Sequence, residues 1–215
     1  MMEFFFKGGP VMFPLFLCSL ISLTVILERL LFWIREDWVR NQPLVDEVLE
    51  LCRKGDWEAI RNRAAGSRDY VIRILISGIL HREFSMAKAM EASAADQVKR
   101  MRRHLGVLDT MITVAPLLGI FGTVTGIVKA FEIVGQGAVA IHHPEAVTGG
   151  IAEALITTVA GLGIAIPSVC FFNYFHSRVE NAVLAIEKYA TSLEIVYEKL
   201  VQGPTPGRRQ DEGQG

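Results

Sequence analysis

Glu153 is the residue of this sequence best suited to chemistry inside a membrane, because its carboxyl group could take part in proton transfer. An uncharged run of 22 residues follows it, from Ala154 to Phe175. Small or apolar residues also precede it, so the carboxyl group can lie within a bilayer. An acidic group at the bilayer centre costs at least about 2.5–3.5 kcal/mol, so it usually faces a bundle interior or a water path. By position alone, an interfacial glutamate without a special role is an equal alternative.

Threonine hydroxyls accompany this carboxyl group. At about 100° per residue, Glu153, Thr157 and Gly161 fall on one helical face. On the preceding apolar run, Thr123 shares a face with Pro116. Hydroxyls that face a carboxylate can solvate it and support a chain of water molecules, as a proton path requires. The alternative for each threonine is a bond to the carbonyl four residues earlier in its own helix.

The other ionisable residues give weaker signals. Lys129 and Glu132 lie three positions apart and can pair with each other on one helix face, which favours a structural role. Asp109 is compatible with an interfacial position. The adjacent His142 and His143 are expected to be solvated rather than to bind a metal. Because neither a nucleophile with its base nor a set of metal ligands is recognisable, we predict no enzyme activity, no cofactor and no metal.

Three uncharged apolar runs could position these groups in a bilayer. They cover Val11–Leu27, Thr110–Val128 and Ala154–Phe175, which are 17, 19 and 22 residues long. A bilayer core needs about 20 helical residues, with a range of about 17 to 25. We therefore predict an all-α membrane protein with transmembrane helices at residues 11–34, 107–134 and 147–175.

A cleaved signal peptide is the alternative for the first run, with Lys7 as its charged start. The run is not followed by a small-x-small cleavage site, and it ends in Glu28 and Arg29. The sequence therefore favours a retained transmembrane helix.

The distribution of Lys and Arg predicts the orientation. Residues 35–106 carry fourteen of them, the connection 135–151 carries none, and the first ten residues carry one. Since cytoplasmic flanks are enriched in Lys and Arg, residues 1–10 and 135–146 are expected outside and residues 35–106 inside. Residues 176–202 then form an inner helix, and the Gly- and Pro-containing tail 203–215 is expected to be disordered.

The inner segments are predicted to be helical. Helix starts, caps and breaks are indicated at Pro43, Gly55, Asp56, Gly66, Ser85 and Pro144. After Met86, no helix breaker occurs before Gly106 and Pro116. If one helix runs from Met86 to Val134, it is about 73 Å long and extends from the membrane into the helical cytoplasmic domain. After the third membrane helix, an apolar stripe suited to helix packing recurs at Val179, Val183, Ile186, Ala190, Leu193 and Tyr197.

Small residues on the second and third membrane helices predict close helix packing. They are Gly119, Gly122, Gly126, Gly161 and Gly163. In lipid, small residues allow two helix backbones to approach where no hydrophobic effect drives association. The glycines do not form a phosphate loop, because the Gly-Lys-Ser/Thr of that motif does not follow.

Two longer motifs resemble a known family. Ala115–Ile127 (APLLGIFGTVTGI) is similar to the second membrane helix of the ExbB/TolQ/MotA proton-channel family, and Gly150–Pro167 (GIAEALITTVAGLGIAIP) is similar to its third. The resemblance covers about residues 10 to 200. Three membrane helices and a glutamate at position 153 look like the ExbB/TolQ branch, since the flagellar MotA branch has four helices and lacks this glutamate.

The resemblance implies an assembly in a bacterial inner membrane, with the outer segments in the periplasm. It implies a homopentamer whose second and third helices line a pore, which holds an ExbD/TolR-like single-helix dimer carrying an aspartate. Glu153, Thr123 and Thr158 match the family's polar pore positions, whereas helical phase places Thr157 beside Glu153. The glycines, Pro116 and the kink at Pro167 then serve helix packing. Thr125 departs from the Trp of many close relatives.

The implied function is that of a proton-conducting stator that uses the proton motive force to energise a TonB- or TolA-like protein spanning the periplasm. The task served would be outer-membrane import or envelope maintenance. The alternative is a non-conducting membrane scaffold that docks partner proteins. A nucleic-acid partner is not expected, because the formal net charge is only −1.

Overall fold

A computed structural model describes residues 8–135 and 144–202, and the predictions for residues 1–7, 136–143 and 203–215 lie outside this described part. Its described residues form helices and no strand. In chain order the helices are α1 (Met12–Val39), α2 (Gln42–Lys54), α3 (Trp57–Ala64), α4 (Tyr70–Leu80), α5 (Met86–Arg102), α6 (Leu105–Gly135) and α7 (Pro144–Gln202). Three helical spans are long and apolar enough to cross a membrane: Met12–Val39, Met86–Gly135 and Val147–Val201. The predicted all-α membrane class is confirmed.

The chain divides into two compact units. The membrane unit comprises the described residues of Met1–Ile34 and Arg102–Arg178, and the second unit comprises those of Arg35–Met101 and Val179–Gly215. Large apolar side chains remain exposed along the helices of the membrane unit, for example Phe16, Phe121 and Leu155. This exposure fits lipid as the surrounding solvent.

Small and apolar residues fill the centre of the membrane unit. Leu15 and Cys18 of α1 are buried in one cluster with Ala115 of α6, and Ala160 and Ile164 of α7 pack against that cluster. The start of α1 therefore packs with both other apolar helices and helps to fix their positions.

The predicted uninterrupted helix from Met86 to Val134 is wrong. Helix α5 ends at Arg102, α6 begins at Leu105, and His104 between them adopts the left-handed backbone conformation with φ of 63°. The N–H of Leu108 donates to the His104 carbonyl and opens the new helix. Histidine is one of the few residues besides glycine that is enriched in this conformation, so the break needs no glycine.

Helix α7 begins at Pro144, as the sequence predicts, and continues for 59 residues. Pro167 lies inside it and does not end it. In the second unit, the predicted stripe of α7 is largely buried, with Val179, Ile186 and Leu193 almost completely covered. The stripe is therefore confirmed as a packing face.

The second unit begins most of its helices with side-chain caps. Asp56 accepts from the N–H of Ala59, and Gly55 ends α2 in the left-handed conformation. The hydroxyl of Ser85 accepts from the N–H of Lys88 at the start of α5. These predicted boundaries are confirmed. The cap of α4, the buried Asp69, was not predicted.

Candidate functional site

Helices α6 and α7 approach each other through glycines. A Cβ atom placed on Gly161 would lie 2.5 Å from the Ala115 carbonyl oxygen, and one on Gly126 would lie 2.8 Å from the Gly150 carbonyl oxygen. A Cβ on Gly119 would lie 2.9 Å from the Thr157 carbonyl oxygen. Because these neighbours are backbone atoms, only glycine permits this spacing. Polar groups of the two helices are therefore brought into direct contact.

Three threonines form a hydroxyl cluster in this contact, consisting of Thr123, Thr157 and Thr158. The hydroxyl oxygens of Thr123 and Thr158 are hydrogen-bonded to each other across the two helices. Each of the three hydroxyl oxygens also lies within 3.4 Å of the Gly119 and Ala154 carbonyl oxygens. Every hydroxyl proton thus has more than one acceptor within reach.

The two adjacent threonines of α7 occupy different environments. The Thr157 side chain is completely buried against α6, and its hydroxyl donates to Ala154 at 2.8 Å. Thr158 is only partly buried and reaches Thr123. Helical phase and the family pattern, which pointed to different threonines, therefore describe two members of one cluster.

The carboxyl group of Glu153 is paired with a lysine. The Lys129 Nζ of α6 lies 2.9 Å from the Glu153 Oε1 of α7, and the Glu153 side chain is 19% exposed. The predicted pairing of Lys129 with Glu132 is therefore wrong. The glycine contact between Gly126 and Gly150 brings the two helices so close that the lysine reaches across, whereas Glu132 is exposed.

A turn before α1 completes the surroundings of Glu153. Gly9 has φ of +67°, and a Cβ atom placed on it would lie 2.6 Å from the Glu153 Cδ and still closer to Oε1. The backbone at residue 9 therefore packs directly on the carboxyl group. Sequence reasoning missed Gly9, since a glycine 144 positions away carries no local signal for this contact.

A second ionic cluster lies at the start of α6. Arg29 of α1 is only 2% exposed, and its guanidinium donates to both carboxylate oxygens of Glu28 at 2.6 Å. The Nδ1 atom of His104 lies 3.3 Å from Glu28 Oε2. The sequence placed Glu28 and Arg29 at the end of the first membrane helix without predicting the histidine.

The predicted site also includes two prolines, and the sequence singled out Thr125. Pro116 and Pro167 are inside α6 and α7. The hydroxyl of Thr125 donates to carbonyl oxygens of its own helix, those of Phe121 and Gly122. Within the described ranges, no three His, Cys, Asp or Glu side chains are grouped so that they could hold a metal ion.

Comparison with known proteins identifies the class of this arrangement. The sequence model of the MotA/TolQ/ExbB proton channel family matches residues 69–188. The ExbB-like 3 biopolymer transport protein of Synechocystis sp. is 32% identical over 92% of this chain and 95% of its own length. The ExbB-like 1 protein of the same organism is 35% identical over 95% of this chain and 82% of its own length. The Tol-Pal system protein TolQ of Pseudomonas aeruginosa is 33% identical over 54% of this chain and 49% of its own length.

The chain belongs to the MotA/TolQ/ExbB proton channel family. Within it, the similarity to ExbB-like proteins and TolQ places the chain in the ExbB/TolQ branch, as the sequence motifs predicted. With its three apolar helices, it is a multi-pass inner-membrane protein with a stator-like proton-channel role.

Proposed function

We propose that this chain conducts protons as the stator subunit of an inner-membrane motor, with Glu153 and the hydroxyl cluster in its proton path. The observation that carries the proposal is the placement of an ion-paired carboxyl group one helical turn from three hydroxyls, between two apolar helices. Thr157 lies four positions after Glu153, a rise of about 6 Å along the helix.

The hydroxyl cluster supports this role because a hydroxyl can donate one proton and accept others. Each of its members can turn between the Gly119 and Ala154 carbonyls. Alternative acceptors allow the hydroxyl protons to reorient together with neighbouring water or with an acid brought by a partner. A purely structural threonine would need only the carbonyl of its own helix.

The assembly we propose follows the ExbB/TolQ branch. Five copies surround a pore lined by α6 and α7, which holds the membrane helices of an ExbD/TolR-like dimer whose aspartate carries the proton. The energy released by proton movement then drives a conformational change in a TonB- or TolA-like protein. The periplasmic side is the side of residues 1–10 and 135–146, and the second unit is cytoplasmic.

The energy available is adequate for stepwise motion. Each proton that crosses about 100 mV releases about 2.3 kcal/mol, several times the thermal energy. Glu153 and the hydroxyl cluster form one wall of the path, and the partner's acid forms the other.

Proton flux into liposomes tests the proposal. The chain is reconstituted with its single-helix partner. A Glu153→Gln variant is then compared with a Glu132→Gln variant, which alters an exposed acid on the neighbouring helix α6. We expect Glu153→Gln to reduce flux to the level of protein-free liposomes while the complex still assembles, and Glu132→Gln to conduct normally. Normal flux through Glu153→Gln, or no flux through the unaltered complex, would overturn the proposal in favour of a scaffold.

A further inference from the structure

The second unit contains a cleft between α3 and α4 that the proposed function does not use. The cleft has a volume of about 780 Å³, and every residue that lines it lies between Trp57 and Arg82. Ligand pockets in proteins typically measure about 300–1,000 Å³. The cleft therefore has the size of a small-molecule site, and its lining comes from one continuous part of the chain rather than from an extended groove.

The cleft combines an apolar floor with a basic rim. Ile60, Ala64 and Ile79 line it and are at most 4% exposed, so the floor is apolar and well packed. Trp57, at the start of α3, adds an aromatic ring. The charged side chains of the lining are three arginines and a single glutamate, which are Arg61, Arg73, Arg82 and Glu58. An apolar surface is thus joined to an excess of positive charge.

Within the described part of the chain, two of the three arginines are left without an acidic partner. No carboxylate oxygen of the described residues lies within 4.0 Å of the guanidinium of Arg61 or Arg73. Arg63, two positions further along α3 and so on its opposite side, is paired with Glu47 at 3.0 Å. The unit therefore neutralises a nearby arginine and leaves those of the cleft available to an anion.

The third arginine is held in place at the rim. The Nη1 atom of Arg82 donates to the Ile79 carbonyl oxygen at 3.1 Å, and the guanidinium lies 5.0 Å from the centre of the Trp57 ring. The Tyr197 ring packs edge-to-face with Trp57. The ion pair of Arg82 with the exposed Glu83 is long, at 3.8 Å, and is therefore weak. A guanidinium oriented in this way loses little side-chain entropy when it binds an anion.

We infer that this cleft binds a small organic phosphate of nucleotide size, with its phosphate groups on the arginines and its apolar part on the floor beside Trp57. Arginine binds phosphate through two parallel hydrogen bonds. A phosphate monoester carries a charge of about −1.5 to −2 at neutral pH, so several arginines match it better than they match a single carboxylate. The inference goes beyond the proposed function, because the cleft lies entirely in the second unit and shares no residue with the proton path.

Equilibrium dialysis of the purified full-length chain tests the inference, with ATP, AMP, inorganic phosphate and adenosine as probes. We expect saturable binding of ATP and AMP with a Kd below about 1 mM. Inorganic phosphate should bind more weakly because it cannot use the apolar floor, and adenosine should bind more weakly because it has no anionic group. If neither nucleotide shows saturable binding up to about 1 mM, or if either fragment binds as tightly as AMP, the inference is wrong.

Charge variants assign the binding to the cleft. Arg61→Gln combined with Arg73→Gln should weaken ATP binding by about tenfold or more, because hydrogen bonds to a charged group are lost. Arg61→Lys combined with Arg73→Lys keeps the charge but loses the paired hydrogen bonds, so its affinity should fall between the two. Arg63→Gln removes the same charge from the same helix outside the cleft and should bind ATP normally. Equal weakening by Arg63→Gln would show general electrostatic attraction instead of a site.

Two further measurements identify other occupants of the cleft. If a poly-glutamate peptide binds and the nucleotides do not, an acidic protein segment is the ligand, and the inference is overturned. If the Arg61→Gln and Arg73→Gln variant changes the mass of the assembly in light scattering, the cleft is an interface between copies of this chain, which also overturns the inference. The flux of Glu153→Gln does not bear on any of these results, so the inference and the proposed function can fail separately.

Discussion

The two units of this chain fix their helices by different means. In the second unit, helices of 8 to 13 residues begin at capping side chains, such as Asn41, Asp56 and Asp69. In the membrane unit, helices α6 and α7 are fixed by direct backbone contact at glycines. Short helices are marginal in water and need their free N–H groups satisfied, whereas helices in lipid gain most from close packing.

This difference teaches where a substitution acts. A change at a cap of the second unit alters one helix end and the free energy of forming that helix. A change at a glycine contact of the membrane unit separates two helices and disturbs every polar group between them, including the hydroxyl cluster and the pair formed by Lys129 and Glu153. Three predictions examine this comparison.

The largest effect is expected for Gly161→Val. Its added side chain would collide with the Ala115 carbonyl and push α7 away from α6. Overpacking costs about 1–3 kcal/mol and occasionally more, and here the moving neighbour is backbone. Denaturant unfolding of the purified complex should show the loss, and proton flux should disappear. Gly163→Val is the control, because a Cβ atom there meets open space; equal stability of the two variants would contradict the glycine contact.

An intermediate effect is expected for Asp69→Ala in the second unit. The buried carboxylate accepts from the N–H groups of Val71 and Asn41, each at 2.8 Å, and so joins two helix starts. Loss of hydrogen bonds to a charged group should cost about 2–3 kcal/mol. Asp56→Ala, which removes one exposed cap, should cost about 1 kcal/mol. Hydrogen exchange should accelerate in α4 and leave α6 and residues 144–178 of α7 protected. Faster exchange in α6 would show that the units are not independent.

The smallest effect is expected in the thiol labelling of two cysteines, one in each unit. Burial raises the pKa of the Cys52 thiol to about 11. Because the folded pKa exceeds the unfolded value of 9.0, the stability from this group is present below pH 9 and is lost as the pH rises toward 11. At neutral pH the thiolate fraction is about 100-fold below that of a free thiol, so labelling of Cys52 should require unfolding of the second unit.

Cys170 supplies the other half of this measurement, since it is exposed on α7 in the membrane unit. We expect a lipid-soluble thiol reagent to label it in native membranes and a water-soluble reagent to leave it unmodified. If the water-soluble reagent labels Cys170 in native membranes, this face of α7 contacts water and the expectation is wrong.

Local sequence signals predicted much of the second unit. Pro43, Gly55 and Asp56 mark helix boundaries because each residue type has its own backbone or capping preference. The apolar stripe of α7 was recognisable for a similar reason, since its period matches the helix. Asp69 carries the same local capping signal as Asp56 and was overlooked. Its second hydrogen bond, accepted from the N–H of Asn41, joins residues 28 positions apart and has no local signature.

In the membrane unit, the apolar runs and the glycine pattern were predictable, but the partners of the charged groups were not. Lys129 has Glu132 within reach on its own helix, and only the spacing of α6 and α7 makes Glu153 the partner. The break at His104 was missed because the residue in the left-handed conformation is a histidine, whereas the nearby Gly106 lies inside α6. Contacts of Gly9 depend on the whole packing of the membrane unit and have no local signature.

The glycine contacts between α6 and α7 also limit how this part of the molecule can move. They recur from Ala115 to Gly126, a length of about 16 Å along α6. A slide of one helix along the other by a single residue would drive a side chain into a gap that holds only hydrogen atoms. Within the membrane unit, the glycine contacts therefore hold α6 and the facing part of α7 at one axial register, which leaves rotation or tilt, and not sliding, as the relative motions open to them.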